Sequence, residues 1–436
     1  MLLRFRVANF ASIRDEQELS LIAADRHEDL AVRDVPGTHF QALPVVGVLG
    51  ANASGKSKLI HSMFYAREVV LSSHQGWKPN APTRREPFRL DPAMAEQSSE
   101  FAFDMVIDGV RYEYGFALDD REIVEEWLLS WPKGRPRRLF ERTREDGVDF
   151  GPHLRKGYGQ LSRLAREAVR PNSLLVSAGA ANNHPLLTRV YDWFQQLRIA
   201  HEHDAYPRLQ FTLDLLESGE MPQLRDLIRF ADLGISDLRS KQREMPAEAA
   251  THFVEAIKLL HPEDAELVDP HSLTAGPEIR VAHTTTDGDV ELPYDVESSG
   301  TRTWLELIGA VAFTLTHGTL LIVDELDARL HPNLAGQLVR LFQEPTTNPN
   351  GAQLVFNTHD VTLLDRRSFG RLTRDQVWLT EKSQEGVTEL TALREYGVRD
   401  SRDDVLRRYL LGRFGGVPVF EEESLPDTSK IVEHAR

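Results

Sequence analysis

The order of apolar and polar residues divides the chain into three parts. In the first part, apolar residues stand at every second position over several short runs, which is the period of a β-strand with one buried face. Strands are therefore predicted at 3–7, 13–21, 101–105, 112–116, 123–131 and 138–142. The Asp108-Gly109 pair between two of these runs is typical of a hairpin turn. Together they predict an antiparallel β lobe.

One segment inside this first part has a different pattern. A fully apolar, valine-rich run that ends at Leu49 predicts a buried strand, and a glycine-containing loop separates it from a predicted helix at 57–71. The polar stretch 72–92 carries several prolines and is predicted to be a loop. A buried strand that leads through a glycine loop into a helix makes this segment the first place to look for chemistry.

In the second part the period changes to that of a helix. From 161 to about 268, apolar residues recur every three or four positions. A β pair is expected after it, at 279–282 and 290–294. We therefore expect an inserted helical subdomain at 161–275.

The third part alternates helices with continuous apolar strands. The predicted elements are helices at 301–316 and 332–342 and strands at 319–323, 353–357 and 376–380. This pattern is typical of a parallel sheet covered on both faces. The predicted fold class is α/β, with a mixed, mostly parallel core sheet, an antiparallel β lobe and an inserted helical subdomain. The predicted division, in which the first and last parts form two halves of one core, is 1–160, 161–275 and 276–436.

The amino-acid composition excludes several kinds of functional site. The 436 residues are 41% hydrophobic and 27% charged, as in an ordinary globular protein. The absence of cysteine excludes disulfides, zinc–thiolate sites and a cysteine nucleophile, and it favours a reducing compartment. The sequence lacks the apolar core of a signal peptide and any apolar run long enough to span a bilayer. We therefore expect a cytoplasmic protein without a membrane partner.

Charge bears on nucleic-acid binding. The net charge of −16 argues against a surface built throughout for DNA, because DNA binding depends on clustered lysine and arginine. One basic run, Lys133-Gly134-Arg135-Pro136-Arg137-Arg138, offers a local patch. Such runs are more often solvated hairpins, and we favour that interpretation. DNA stays open as a partner, although the charge does not indicate it.

The strongest chemical pattern is Gly50-Ala51-Asn52-Ala53-Ser54-Gly55-Lys56-Ser57, directly after the buried strand. A glycine loop between a strand and a helix N-terminus points backbone N–H groups at bound phosphate. Lys56 is expected to reach the β- and γ-phosphates, and the Ser57 hydroxyl to bind Mg²⁺. The nucleotide-binding residues predicted here are Gly50, Asn52, Ser54, Gly55, Lys56, Ser57 and Lys58.

Paired acids follow the predicted strand at 319–323. Asp324 and Glu325 stand where a parallel strand ends, which is where open α/β sheets bind ligands. Asp324 is expected to hold Mg²⁺, directly or through water, and Glu325 to accept a proton from the attacking water. By itself the pattern also fits a strand that simply leaves the core. Combined with the phosphate loop, it predicts ATP hydrolysis.

Two further stretches narrow the type of enzyme. His359 follows the strand at 353–357, where an imidazole could contact a γ-phosphate, although a lone histidine there also fits an ordinary polar residue. Ser298-Ser299-Gly300-Thr301 opens a predicted helix, so its hydroxyls and N–H groups form a second anion site. An ordinary helix cap is the alternative.

In this order, the four pieces resemble an ABC-type ATPase. They correspond to a Walker A motif at 50–57, a signature loop at 298–301, a Walker B motif with Glu325 as catalytic residue, and the switch histidine His359. The resemblance implies that copies of the chain meet head to tail, with each ATP between one P-loop and the partner's signature loop. The signature departs from the usual Leu-Ser-Gly-Gly-Gln, which argues against carrying over the properties of membrane transporters.

A closer resemblance is to the RecF/SMC/OLD-like branch, and within it to compact AAA-annotated ATPases of bacterial phage-defence operons, of the RloA, AriA and PtuA types. The stretches that carry it are Phe5 to Ser12, Ser298 to Arg302, Asp324 to Asp327 followed by Leu330-His331-Pro332, and Arg408 to Pro418. The resemblance implies that Asn9 and Phe10 lie on the adenine side of the nucleotide.

The resemblance leads to one function and an alternative. We expect the sensor or regulatory ATPase of an anti-phage system, which controls a separate effector such as a nuclease or toxin. A DNA-repair or DNA-clamp ATPase of RecF/SMC type is the alternative. The chain after His359 places no acids at strand ends, so we expect no nuclease domain here.

Overall fold

The computed structural model describes residues 1–27, 30–152, 154, 158–201, 204–231, 233–244, 251–252, 255, 274–399 and 404–417. The chain forms two compact units. The first, called the core unit, comprises Met1–Ile199, His317–Ala328 and Ala335–Arg436. The second, called the insert unit, comprises Ala200–Thr316 and Arg329–Leu334. Within the described ranges, no helix combines the length and apolarity needed to cross a membrane.

Strands and helices are numbered in chain order. The strands are β1 (Leu2–Ala8), β2 (Gln17–Ser20), β3 (Arg33–Asp34), β4 (Gln41–Ala42), β5 (Val45–Gly50), β6 (Ser99–Ile107), β7 (Val110–Leu118), β8 (Ile123–Trp131), β9 (Arg137–Thr143), β10 (Gly147–Phe150), β11 (Arg198–Ala200), β12 (Ile235–Glu244), β13 (Thr274–Thr285), β14 (Gly288–Pro293), β15 (Leu320–Val323), β16 (Gln353–Asn357), β17 (Val377–Lys382) and β18 (Thr388–Ala392). The helices are α1 (Lys56–Ser72), α2 (Pro92–Glu96), α3 (Tyr158–Glu167), α4 (Leu175–Ala181), α5 (Pro185–Gln196), α6 (Ala205–Ser218), α7 (Gln223–Phe230), α8 (Ser299–His317), α9 (Pro332–Gln343) and α10 (Val405–Leu410).

The predicted β lobe is an antiparallel sheet with strand order β10-β9-β8-β7-β6-β1-β2. One face of this sheet is apolar because its strands alternate inward and outward side chains. Phe5 of β1 and Phe103 of β6 are paired in register, with ring centroids 4.8 Å apart. This face belongs to the same hydrophobic cluster as α1, which carries the P-loop at its start.

The core sheet has strand order β11-β15-β16-β5-β17-β18. Its pairs β15–β16, β16–β5 and β5–β17 are parallel, and the edge strand β18 runs antiparallel to its neighbour β17. All six residues of β5 are buried, as expected for a strand covered on both faces. The predicted fold class, a mixed and mostly parallel sheet beside an antiparallel lobe, is confirmed. Because β5, β15 and β16 are parallel, the segments that follow them leave from one edge.

A buried carboxylate joins the β lobe to the helices that support α1. Glu126 of β8 is fully buried and accepts hydrogen bonds from the backbone N–H groups of Leu175, at 2.6 Å, and Val176, at 3.0 Å, and from the Tyr114 hydroxyl, at 3.0 Å. Its oxygens therefore satisfy N–H groups in the first turn of α4, which have no partner within the helix. Ser177 of α4 in turn donates to a carbonyl of α1 at 2.5 Å.

The insert unit contains an antiparallel sheet with strand order β12-β13-β14. Helices α6 and α7 pack against β12. Most of α8 lies in this unit, and Glu306 on α8 accepts hydrogen bonds from the Tyr294 hydroxyl at 2.6 Å and from Arg208 at 3.2 Å. Glu306 is buried, so these two donors compensate for the loss of water around its charge.

The middle of the chain differs from the prediction. The expected helical stretch includes the strand β12, and its last residues, 256–268, lie outside the described residues. Helices α3, α4 and α5 belong to the core unit, whereas the insert unit starts at Ala200. Val190 and Phe194 of α5 explain this, since both are buried in the cluster that contains α1. Periodicity reveals that a helix buries one face, but not which partner covers it.

We expect Glu126→Ala to lower the free energy of unfolding by roughly 3 kcal/mol, because removing one partner of a buried charged network leaves the others unsatisfied. The measurement is urea or thermal unfolding. Glu125→Ala is the matched control, because Glu125 is an exposed glutamate on the same strand. Equal stability of the two variants would contradict the role given to Glu126.

Candidate active site

The P-loop leaves the core sheet where β5 ends and enters α1 at Lys56. Gly55 has a φ of 109°, and Ala53 has a φ of 61°. Gly55 is the N-cap of α1 and provides no side-chain cap. The first N–H groups of the helix are therefore open to an anion, as a phosphate-binding loop requires.

Two threonines pack directly against the two glycines of the loop. A Cβ atom on Gly50 would lie 2.4 Å from Oγ1 of Thr380, and one on Gly55 would lie 2.1 Å from Oγ1 of Thr388. Both distances are far below normal contact. These positions accept only glycine because β17 and β18 press against the loop.

Ser54 serves this packing. Its side chain is buried and lies 2.6 Å from the Thr380 hydroxyl, while its carbonyl accepts a hydrogen bond from Thr388 at 2.9 Å. The predicted contact between Ser54 and the nucleotide stays a prediction. Asn52 and Lys58 are exposed and accessible, as a role in nucleotide binding requires.

Lys56 is folded into the loop. Its Nζ donates to the carbonyls of Gly50, at 2.9 Å, and Ala51, at 3.0 Å, and lies 3.5 Å from Nδ1 of His359. Burial lowers the pKa of Lys56, and three carboxylates oppose this shift, in the order Asp327, Glu325 and Asp324. The structure thus brings the predicted Lys56, His359 and the acid pair to one place.

Asn357, at the end of β16, connects these parts, and our sequence analysis did not assign it a role. Its side chain is fully buried. The amide nitrogen donates to Asp324 at 2.6 Å and to the Ser57 hydroxyl at 3.3 Å, and the amide oxygen accepts from the backbone N–H of Glu325. Its position could have indicated this role. Asn357 is a polar residue at the end of an apolar strand, and the neighbouring strands carry the P-loop and the acids.

The residues present fit Mg²⁺. Ser57 and Asp324 share one hydrogen-bond donor, so their oxygens lie close together. A hydroxyl and a carboxylate are the hard oxygen ligands that Mg²⁺ prefers, and it commonly takes its remaining ligands from phosphate and water. Ser57 and Asp324 would therefore hold the ion.

Glu325 adopts an uncommon backbone conformation. Its φ is 56°, in the left-handed region that residues other than glycine seldom occupy. The hydrogen bond from its N–H to Asn357 and a turn in which Ala328 N–H donates to its carbonyl at 2.9 Å fix this geometry. Strain of this kind is characteristic of functional sites, where the surrounding structure holds the residue in place.

The predicted signature loop lies in the insert unit and is described by itself. Ser298 and Ser299 are exposed. The Ser298 hydroxyl accepts from Thr301 N–H at 3.1 Å and lies 2.9 Å from its hydroxyl, which is a helix cap at the start of α8. A Cβ on Gly300 would lie 2.8 Å from the Arg329 carbonyl, so this position also requires glycine. The cap and the predicted anion site are thus compatible.

Asn9 and Phe10 are buried, so neither side chain is accessible to a ligand. The Asn9 amide donates to the carbonyls of Met94, at 2.7 Å, and Gln97, at 2.9 Å, and accepts from Phe88 N–H at 3.0 Å. It thereby shapes the segment that borders the P-loop. The adenine-side role of Asn9 and Phe10 stays a prediction, and burial of both side chains argues against their direct contact with a nucleotide.

Two clefts flank the loop. One of about 480 Å³ is lined by Ser12, Lys58, Leu90 and others. The second, of about 390 Å³, lies between Asn52 and the strand β17, with Gly416 of the C-terminal segment at its side. Gly416 N–H donates to Glu381 of β17 at 2.7 Å. Space for a ligand thus exists on both sides of the P-loop.

We expect Asn357→Ala to raise the Mg²⁺ concentration needed for half-maximal nucleotide binding by about tenfold, because loss of a residue that orients metal ligands commonly has an effect of this size. Titration of Mg²⁺ with a fluorescent ATP analogue measures it. Asn348→Ala is the control, since Asn348 is a buried asparagine of the same unit that bonds only nearby backbone. Equal Mg²⁺ requirements in both variants would contradict the role of Asn357.

Comparison with known proteins agrees with this site. A family model described as "AAA domain, putative AbiEii toxin, Type IV TA system" matches residues 45–365, from the strand before the P-loop to just beyond His359. No curated protein matches the chain significantly.

Solved structures with similarity to the chain include three SMC head domains. The head domain from Thermotoga maritima has 11% identity and a TM-score of 0.38, covering 90% of this chain and 98% of that chain. An Smc head bound to the C-winged helix domain of ScpA has 12% identity and a TM-score of 0.40, covering 90% and 99%. A head with an extended coiled coil, bound to the C-terminal domain of ScpA derived from Pyrococcus furiosus, has 12% identity and a TM-score of 0.36, covering 90% and 97%.

The family match spans well over half of the chain. It confirms the predicted resemblance to AAA-annotated ATPases. The chain therefore belongs to the family of P-loop proteins described as AAA domain, putative AbiEii toxin, Type IV TA system.

Proposed function

We propose that this protein is an ABC-type ATPase that binds and hydrolyses ATP in the cytoplasm and serves as the regulatory ATPase of an anti-phage system. The observation that carries the enzymatic part is the hydrogen bonding of Asn357. It joins Ser57 of the P-loop to Asp324 and holds the backbone of Glu325 beside them. A P-loop and an acid pair brought together in this way are the parts that phosphoryl transfer needs.

Each residue has a distinct task in the proposed reaction. Lys56 exchanges the carbonyls of Gly50 and Ala51, which it contacts at 2.9 and 3.0 Å, for oxygens of the β- and γ-phosphates. Ser57 and Asp324 would hold Mg²⁺, which would supply positive charge to the phosphate oxygens. Glu325 orients the attacking water and accepts its proton.

His359 completes the site from the neighbouring strand end. Its side chain is exposed, and its Nδ1 atom lies 3.5 Å from the ammonium of Lys56. An imidazole at this distance from the lysine that binds the γ-phosphate is able to donate a hydrogen bond to the same phosphate.

We further propose that copies of the chain associate head to tail. Ser298 and Ser299 are exposed at the start of α8, a helix of 19 residues. The N-terminus of a long helix attracts phosphate through free N–H groups and the helix dipole. In the proposed assembly, Ser298, Ser299 and Gly300 of one copy contact the γ-phosphate of the ATP bound by the other.

The defence role rests on the family. Its description names a putative toxin of a type IV toxin–antitoxin system, which supports a function in which the ATPase state governs a harmful activity. We propose that a separate effector protein, a nuclease or toxin encoded nearby, supplies that activity. Closure of the heads around ATP would restrain or release it.

A DNA-clamp or DNA-repair ATPase is the second candidate, and the β8–β9 hairpin favours it. Lys133 and Arg135 are exposed and, within the described ranges, neither has a carboxylate partner. Arg138 in the same hairpin differs, because it pairs with Glu141 at 2.7 Å. The phosphate groups of a DNA backbone attract cationic side chains that have no carboxylate partner.

Glu325→Gln tests the enzymatic proposal. We expect ATP binding to persist while turnover falls by about 100-fold or more, because a general base commonly contributes that much. Lys56→Ala is expected to abolish binding. Phosphate release and nucleotide binding are the measurements. Glu344→Gln is the control, since Glu344 is a half-buried glutamate paired with Arg340. Unchanged turnover in Glu325→Gln would remove Glu325 from its proposed task.

The mass of the Glu325→Gln protein in solution, with and without ATP and Mg²⁺, tests head-to-tail association. We expect the mass to double with ATP, since the trapped nucleotide holds both copies. Ser299→Arg, which places a bulky side chain at the signature loop, is expected to prevent doubling. A mass that ATP leaves unchanged would contradict assembly through the nucleotide.

Phage challenge separates the two biological roles. We expect cells that express the chain with its neighbouring gene to resist phage, and Lys56→Ala to remove the resistance. The double variant Lys133→Ala and Arg135→Ala is expected to protect as well as wild type does. Loss of protection in that double variant, together with loss of salt-sensitive DNA binding by the purified protein, would favour the DNA-clamp function instead.

A further inference from the structure

A third carboxylate of the site has no task in the reaction described above. Asp327 follows Asp324 and Glu325 in the turn after β15. It is half-buried and points towards the segment that follows β16. Its contacts connect two loops that come from different strands of the core sheet.

Asp327 holds the switch segment by hydrogen bonds. Its Oδ1 atom accepts from the Thr358 hydroxyl at 2.5 Å and from the backbone N–H of His359 at 3.1 Å, and Oδ2 lies 3.3 Å from the same N–H. Bonds from neutral donors to a carboxylate are stronger than bonds between neutral groups. The backbone of His359 is thus fixed by a side chain from the Walker B loop.

Thr358 is oriented for this contact. It is 1% exposed, its hydroxyl accepts from Asp360 N–H at 2.9 Å, and its own N–H donates to the carbonyl of Val48 on β5 at 3.1 Å. Because the hydroxyl oxygen of Thr358 accepts the bond from Asp360, the hydroxyl hydrogen is donated to Asp327. The switch segment is therefore connected to β5 by its backbone and to the acid loop by its side chain.

Asp327 also acts on the lysine of the P-loop. Asp327 lies close enough to Lys56 for its charge to act on the ammonium group, as do Glu325 and Asp324. Lys56 is the residue that His359 approaches to 3.5 Å. Asp327 thus lies near both groups that are expected to contact the γ-phosphate.

We propose that Asp327 is a positioning residue of the ATPase reaction, which places the imidazole of His359 against the γ-phosphate by hydrogen bonds to Thr358 and to the His359 backbone. This inference rests on the proposed ATPase function and deepens it. Asp327 itself does not contact the substrate, because its oxygens are occupied by the switch segment and a carboxylate repels phosphate.

If Asp327 positions His359, its loss should affect ATP binding and ATP turnover differently. Loss of Asp327 leaves the P-loop intact and removes a negative charge from the neighbourhood of the phosphates, so the KM for ATP should stay the same or fall. The freed switch segment misplaces His359, and a displacement of about 1 Å can lower turnover by up to 100-fold. A lower kcat with an unchanged KM is therefore the expected signature.

A double-mutant cycle tests whether Asp327 acts through His359. The proteins are wild type, Asp327→Ala, His359→Ala and the variant that carries both changes, each assayed for kcat and KM in ATP hydrolysis. We expect each single variant to lose about tenfold or more in kcat and the double variant to match His359→Ala within about twofold, because residues that act as one unit are not additive. Losses that multiply in the double variant would overturn the proposal.

Asp327→Asn separates hydrogen bonding from charge. The amide oxygen is able to accept the bonds that Oδ1 accepts now, and only the 3.3 Å contact of Oδ2 and the charge are lost. We expect its kcat to stay within about fivefold of wild type, which corresponds to one ordinary hydrogen bond. An Asn variant as slow as Asp327→Ala would show that charge is what matters, and would overturn the positioning role.

Asp365→Asn is the matched control, since Asp365 accepts a backbone N–H bond at 2.9 Å in the following turn and has no place in the site. It is expected to behave as wild type. The wild-type assay distinguishes a failure of the proposed function from a failure of this inference. A wild type that does not hydrolyse ATP overturns the proposed function and this inference together, whereas active wild type with a multiplicative cycle overturns the inference alone.

Discussion

One buried amide connects three parts of the site that lie far apart in the sequence. Asn357 bonds Ser57, which lies 300 residues earlier, and Asp324, which lies 33 residues earlier. It does so from the last position of β16, between the strands that carry the P-loop and the acids. Because side chains alternate across a sheet, a shift of this strand by one residue would turn the amide to the other face. The register of β16 therefore determines whether Asn357 reaches Ser57 and Asp324.

The electrostatics of this edge agree with the proposed binding of a cation. Asp324, Glu325 and Asp327 all act through their charge on the ammonium group of Lys56. ATP adds further negative charge to a place where acids already outnumber the lysine. In the proposed reaction, backbone N–H groups of the loop would face the phosphates, and Ser57 and Asp324 would offer oxygen ligands to Mg²⁺. Burial strengthens all of these interactions by lowering the local dielectric.

Features encoded in neighbouring residues were predictable from the sequence. The β5 strand, the P-loop and α1 follow from an apolar run, spaced glycines and helical periodicity, and the acid pair from its place after β15. The roles of Asn357, Thr388 and Asp327 were not, because each depends on a contact between distant segments. Periodicity likewise failed at β12 and did not reveal that α5 packs on α1. Asn9 was expected on the adenine side of the nucleotide, whereas its contacts with the backbone of 88–98 were not predicted.

The packing of Thr380 and Thr388 against the P-loop has a consequence for the order in which the protein matures. The loop at 50–55 takes its shape against strands that lie more than 320 residues later in the chain. During synthesis, the strand, the loop and the start of α1 leave the ribosome long before β17 and β18 exist. Contacts with such large sequence separation form late, because closing a long loop costs entropy before it is stabilised. We therefore expect ATP binding only in chains whose C-terminal third has folded. A chain whose synthesis stops earlier would contain the P-loop sequence but not the folded binding site.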